Sequence, residues 1–303
     1  MDWTLWAGKA LGRLVTAPRP ATVPTTRLVE LPGRGTTSVI DLPGPPDAQT
    51  LVLLHALGTT ARLSWYPSLE TLAERYRVVA FDQRWHGSGI RSREFRLVDC
   101  ADDAVAVADL LGLDRFVVVG YSMGGAVAQL IWRRHRSRVA GLVLAATARN
   151  YRGKVGERLW FQLTRASMAR FGGHAHGRVE QLGTRVAALD GNGYQDELSR
   201  WAMREFRSTS VWSMLAALDE LGRFDSSAWI RRVDIPTSVI VMTRDRFVPT
   251  RRQRSLAAAI PGAISFDVAG HHAALVLGAD EFVPVLRAAC DSVVRRIDQA
   301  GRP

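Results

Sequence analysis

The sequence predicts an α/β fold, a doubly wound, mostly parallel sheet carrying an inserted helical cap. Three observations carry this expectation. Leu51–Leu54, Val78–Phe81, Phe116–Val119, Leu142–Ala145 and Ser238–Val241 are unbroken apolar runs bounded by Gly, Asp or Pro, the pattern of strands covered on both faces. Helical stretches over Val98–Leu111, Gly125–Arg134 and Arg252–Ala259 alternate with them at βαβ spacing. Finally, roughly 85 residues from Arg149 to Asp234 lack any strand-like run, where an ordinary connection takes about 2 to 6.

Taken in order, residues 1–26 form an amino-terminal extension. Trp3, Trp6, Ala10 and Leu14 fall at helical spacing beside Lys9 and Arg13, before a Pro/Thr-rich stretch. The readings are an amphipathic helix associating weakly with a membrane surface, a helix packed on the body, or a frayed tail. The segment lacks the pattern of a signal peptide. Arg27–Glu30 and Thr37–Leu42 flank Pro-Gly-Arg-Gly as a hairpin. The core is then expected over 27–148 and 235–303, with a cap over 149–234. Cap helices are expected around Glu157–Arg170, Arg178–Leu189, Glu197–Phe206 and Val211–Leu221. Their Trp, Phe and Met side chains build a core of their own and line a ligand cavity at the carboxyl edge of the sheet.

Composition narrows the class. A 303-residue chain with 47% hydrophobic and 23% charged residues is neither disordered, collagen-like nor a disulfide miniprotein. Its formal charge is +11, but only Lys9 and Lys154 are lysines, and the arginines are scattered in short runs such as Arg133-Arg134-His135-Arg136 and Arg251-Arg252-Gln253-Arg254. That pattern fits solvated helix faces better than a nucleic-acid stripe, so no nucleic-acid partner is expected. No apolar run is long enough to span a bilayer. Cys100 and Cys290 form no metal or disulfide pattern, which fits a reducing cytosol and a cytoplasmic location. Oligomeric state is left open.

The chemistry concentrates in Gly120-Tyr121-Ser122-Met123-Gly124, set between an apolar strand and a helix that opens with small residues. A sharp strand-to-helix turn forces its central residue into strain and needs small neighbours. His55-Ala56-Leu57-Gly58, Asp82-Gln83-Arg84-Trp85-His86-Gly87-Ser88-Gly89, Thr243–Pro249 and Gly270-His271 also follow strands. With these motifs the chain, from about Arg27 to Arg296, resembles the α/β-hydrolase fold superfamily. It departs at Ala56, Trp85 and Gly89.

A serine nucleophile needs a base, and the base a carboxylate to fix its tautomer. Of seven histidines, His135 ends a basic helix, and His174 and His176 lack companions for a metal site. His55 and His86 follow strands and shape loops or touch substrate. Gly270 permits a tight turn, and the resemblance places the base directly after it, so His271 is the expected base and His272 its neighbour. Asp245 is the expected acid and Asp225 its rival. The resemblance further implies an oxyanion hole from the N–H groups of Met123 and Leu57 and no metal or organic cofactor; the expected substrate contacts are His55, Trp85, His86 and Tyr121 with Trp160, Trp201 and Trp212 of the aromatic cap.

The expected activity is cleavage of small-molecule carboxylic esters with apolar acyl or aryl groups. Acyl transfer, perhydrolysis, carbon-carbon bond hydrolysis on the same three residues, or a non-catalytic binding protein of this fold are the alternatives.

Overall fold

The computed structural model describes residues 25–151 and 197–300. Residues 1–24 of the amino-terminal extension, Trp160, His174, His176 and the first two expected cap helices lie outside them. Eight strands, β1 (Arg27–Leu31), β2 (Gly35–Leu42), β3 (Thr50–Leu54), β4 (Arg77–Phe81), β5 (Phe116–Tyr121), β6 (Val139–Ala145), β7 (Thr237–Met242) and β8 (Ile264–Val268), form one sheet in the order β1-β2-β4-β3-β5-β6-β7-β8. The β1–β2 and β2–β4 pairs are antiparallel and the rest parallel.

Because side chains alternate across a strand, each apolar run supplies both faces of the sheet. Val52, Leu54, Val118 and Leu144 pack with α2 (Leu97–Leu110) and α3 (Met123–Arg134), whereas Leu51, Leu53, Val117, Val119 and Val143 pack with α1 (Ala61–Ala73) and α8 (Ala279–Ala300). This explains the unbroken runs. Cys100 and Cys290 belong to opposite faces, and both are buried free thiols pushed up by burial.

The helical stretches correspond to α2, α3 and α6 (Thr250–Ala259), and two of the expected cap helices to α4 (Glu197–Arg207) and α5 (Val211–Arg223). Helices α1 and α8 were not anticipated: each contains a proline, Pro67 and Pro284. Thr60 caps α1 by accepting Leu63 N–H, and Asp82 Oδ1 takes Ala61 N–H. A short α7 (Ala274–Leu277) precedes α8. No described helix is long and apolar enough to cross a membrane.

The residues at the two ends of the expected cap are joined to each other. Asn150 bridges Asp225, Ser226 N–H bonds Arg149 O, and Ser226 Oγ bonds Gln129 Oε1.

The loops after β3 and β4 are locked from beneath. His55 and His86 are fully buried, with ring centroids 5.2 Å apart. Nδ1 of His55 faces Ala56 O, so it donates there, and Nε2 accepts Gln83 N–H at 2.8 Å. His86 Nδ1 donates to Arg84 O at 2.9 Å. These two expected substrate contacts are therefore corrected: they are loop cross-links removed from the surface. Arg84 forms a bidentate pair with buried Asp103, both contacts at 2.8 Å, which Arg34 also engages.

Burial lowers the His55 imidazole to about 4 and that of His86 to about 3, from an ordinary 6.5. In the unfolded chain both take up protons below about pH 6.5, while in the folded chain they stay neutral. Stability is therefore fully present above that pH and falls as pH drops toward 3 to 4, by about 1.4 kcal/mol per pH unit per histidine. Urea unfolding between pH 7.5 and 4.5 should show this decline, with a shallower slope in His86→Gln; equal slopes would contradict it.

Candidate active site

The site is built at the carboxyl ends of the parallel strands, beginning with Ser122. Its backbone has φ 54° and ψ −113°, a conformation costly for a side-chain-bearing residue. Close packing enforces it. A Cβ on Gly120 would lie 2.3 Å from Gly124 O, and one on Gly124 would lie 2.2 Å from Leu54 O. Strand β5, helix α3 and strand β3 thus approach too closely for any larger residue. Ser122 N–H is held by Ala145 O at 2.9 Å, and the side chain stands at the head of α3.

His272 faces this hydroxyl, its Nε2 2.9 Å from Ser122 Oγ and its Nδ1 2.7 Å from Asp245 Oδ2. The carboxylate can only accept, so Nδ1 carries the proton and Nε2 is left as the acceptor toward serine. The expectation for His271 is corrected. Its side chain is exposed, with Nδ1 2.9 Å from Arg244 O. Arg244 N–H bonds Gly270 O at 3.1 Å, and this stitch turns the first histidine outward while the second enters the site. Two adjacent histidines carry no sequence signal that separates them.

Asp245 lies against His272 Nδ1, its side chain fully buried. Oδ1 accepts the N–H groups of Phe247 and Val248 at 2.8 and 3.0 Å, and Oδ2 also accepts Gln253 Nε2 at 3.0 Å. Asp225 is exposed and accepts Ser227 N–H as a local turn, in addition to its bridge with Asn150. The rival acid therefore does not face His272.

Tyr121 is buried and donates its hydroxyl to His272 O at 2.8 Å. It braces the histidine, which corrects its expected contact with substrate. Burial, with a contribution from Asp245, pushes this hydroxyl well up, so it remains a donor. Phe247 lies on the imidazole with centroids 5.4 Å apart. Tyr151, which the sequence reading missed, bonds Ser122 O at 3.3 Å and Thr147 Oγ1 at 2.8 Å.

Met123 is the first residue of α3, so no preceding helical turn accepts its N–H. Ala56 keeps an ordinary backbone, and the left-handed turn falls on Gly58 at φ 77°. A Cβ there would lie 2.9 Å from Met214 Sδ, so α5 covers this loop; Leu57 within it is half-buried.

Trp85 takes the left-handed conformation itself, φ 65°, with Nε1 bonded to Ser92 Oγ and O at 3.0 and 3.1 Å. That bond turns it to the loop interior rather than to a ligand. Trp201 is buried against Leu63 and Tyr66, meeting the Tyr66 ring edge-on at 5.2 Å. It fastens α4 to α1. Trp212 is half-buried on α5.

Comparison with known proteins gives a concordant result. Residues 49–276 match the model of the alpha/beta hydrolase fold family. Pimeloyl-[acyl-carrier protein] methyl ester esterase of Chromobacterium violaceum is 30% identical over 248 residues, covering 78% of this chain and 92% of that protein. Poly(3-hydroxyalkanoate) depolymerase of Ectopseudomonas oleovorans is 27% identical, covering 86% and 90%. The solved enol-lactonase of Burkholderia xenovorans LB400 superposes with a TM-score of 0.70 at 22% identity, covering 88% of this chain and all of that one. The sheet order, the strained serine between β5 and α3, and a family match spanning most of the chain lead to one conclusion: this protein belongs to the alpha/beta hydrolase fold family and is a hydrolase.

Proposed function

We propose that this hydrolase is a serine esterase that cleaves carboxylic esters with apolar acyl or aryl groups, using Ser122, His272 and Asp245. The single observation that carries the reading is the continuous chain of contacts from Asp245 Oδ2 through both His272 nitrogens to Ser122 Oγ. His272 Nε2 removes the hydroxyl proton as Ser122 Oγ bonds to the ester carbonyl carbon. The N–H groups of Met123 and Leu57 stabilise the developing oxyanion. Collapse breaks the bond to the leaving oxygen, and His272 returns the proton to it as the alcohol departs. Water then adds by the same relay, and the acid is released with Ser122 restored.

Asp245 holds the imidazole in the working tautomer and stabilises its cation. Residues 149–234 act as the cap. Met214 against Gly58 gives the acyl side an apolar wall. The Chromobacterium violaceum relative is a methyl ester esterase, in agreement with ester cleavage.

A fluorophosphonate probe should label the wild-type chain and leave Ser122→Ala unlabelled; equal labelling of both would overturn the reading. With aryl esters of increasing acyl length, His272→Ala should lower kcat by about 10²- to 10⁴-fold, whereas His271→Ala stays within a few-fold of wild type. Loss of activity in His271→Ala alone would refute the assignment of the base.

A further inference from the structure

Gln253 stands behind the acid in a short run that otherwise consists of arginines, Arg251-Arg252-Gln253-Arg254 on α6. Its neighbours Arg251 and Arg254 are exposed, yet Gln253 is completely buried. Its Oε1 accepts the N–H of Met242, the last residue of β7, at 2.9 Å. That bond fixes the amide orientation, because only an oxygen can accept there. Nε2 must then point its hydrogens the other way, and it donates to Val248 O at 2.7 Å and to Asp245 Oδ2 at 3.0 Å.

Oδ2 is also the atom that receives His272 Nδ1–H. Two donors, one neutral and one the imidazole, share a single carboxylate oxygen away from water. We propose that Gln253 is a positioning residue for the hydrolytic reaction: through Asp245 Oδ2 it fixes the direction of the carboxylate and sets how strongly that oxygen holds the His272 imidazolium.

The physical argument has two parts. Oδ1 is fixed by the backbone N–H groups of Phe247 and Val248, which pin one end of the carboxylate. Rotation about the remaining bond would carry Oδ2 out of line with Nδ1, and the Gln253 donor opposes that rotation from the side facing away from His272. The amide also withdraws charge from Oδ2, so His272 faces a less basic partner than a carboxylate bonded to imidazole alone. A neutral amide makes this adjustment without adding a charge of its own.

Among the described residues, the other charged or titratable groups around the pair are the hydroxyls of Tyr121 and Tyr151, both pushed up by burial with a contribution from Asp245, and Arg252, whose charge reaches Tyr151. Exposed Arg244, Arg246 and His271 belong to the same loops. Gln253 is uncharged throughout, so a shift on its removal reads the lost donation.

This inference rests on the esterase reading, and the test separates the two. In the full chain, Gln253→Met keeps the length of the side chain and removes the amide with both its acceptor and its donor. Its expected result is a kcat about 10-fold lower with KM within about 2-fold, and an acid limb of kcat/KM displaced to higher pH by about half a unit. An acid limb superimposing on wild type would overturn the role, since a merely structural stitch would lower activity without moving the limb.

A measurement on wild type covers failure of this variant to fold. With glutamine side chains labelled by nitrogen-15, the Gln253 amide resonance should move with pH at the same midpoint as the His272 ring protons. A resonance that stays fixed while His272 titrates would overturn the proposal. Activity surviving in Ser122→Ala and His272→Ala would instead overturn the esterase reading, whatever Gln253 does.

Discussion

The close approach of β5, α3 and β3 is the constraint on which the rest of the site depends. Gly120 and Gly124 allow the three backbones to come nearer than any side chain permits, and Ser122 is left in a left-handed turn at their junction. Such strain persists only where the surroundings over-determine it. Here a sheet packed on both faces supplies that determination: the strand residues flanking the turn are inaccessible to water, and Ser122 N–H is held across to β6. The energy that holds the serine in place therefore comes from core packing remote from it.

Around this fixed point the loops are rigid for a different reason. Their bonds are polar but dry. Asp82 accepts Ala61 N–H with one oxygen and Ser88 N–H with the other, at 2.8 Å each, tying the start of α1 to the loop after β4. Burial pushes its carboxyl up while these donors pull it back down. His55, His86 and the Arg84–Asp103 pair extend the same network. Breaking one partner of such a set leaves another buried without a bond, which costs more than the bond itself is worth. The loop that carries Leu57 is thus supported from below by groups that never meet solvent.

Much of this was legible in the sequence. Strands buried on both faces write themselves as unbroken apolar runs, and a turn that admits only glycine beside the serine leaves its pattern in five residues. Asp245 stood out as a candidate because it follows closely on a strand. What failed was one register step: His271 and His272 are chemically identical, and the choice between them is made by a bond from Arg244 to Gly270 that no local pattern encodes. Helices α1 and α8 were hidden by Pro67 and Pro284, which read as breakers when tertiary packing is unknown. The aromatic residues misled for the opposite reason. Trp85, Tyr121 and Trp201 were expected at a ligand, but such large surfaces are also what loops and helices use to fasten to one another. Gln253 carried no signal at all, since its partners are met only after β7, α6 and the turn between them are assembled.

The junction formed by Arg149, Asn150, Asp225 and Ser226 has a consequence for how this scaffold changes over evolutionary time. The two ends of the stretch between those residues are already joined. The entropy of closing a loop grows only with the logarithm of its length, about 0.6 kcal/mol per doubling. Changes in the length of chain between the joined ends therefore cost little closure entropy, while α4 and α5 stay tied to the body through Trp201 and Met214. The length of that stretch and the groups at the sheet edge are thus free to diverge at different rates.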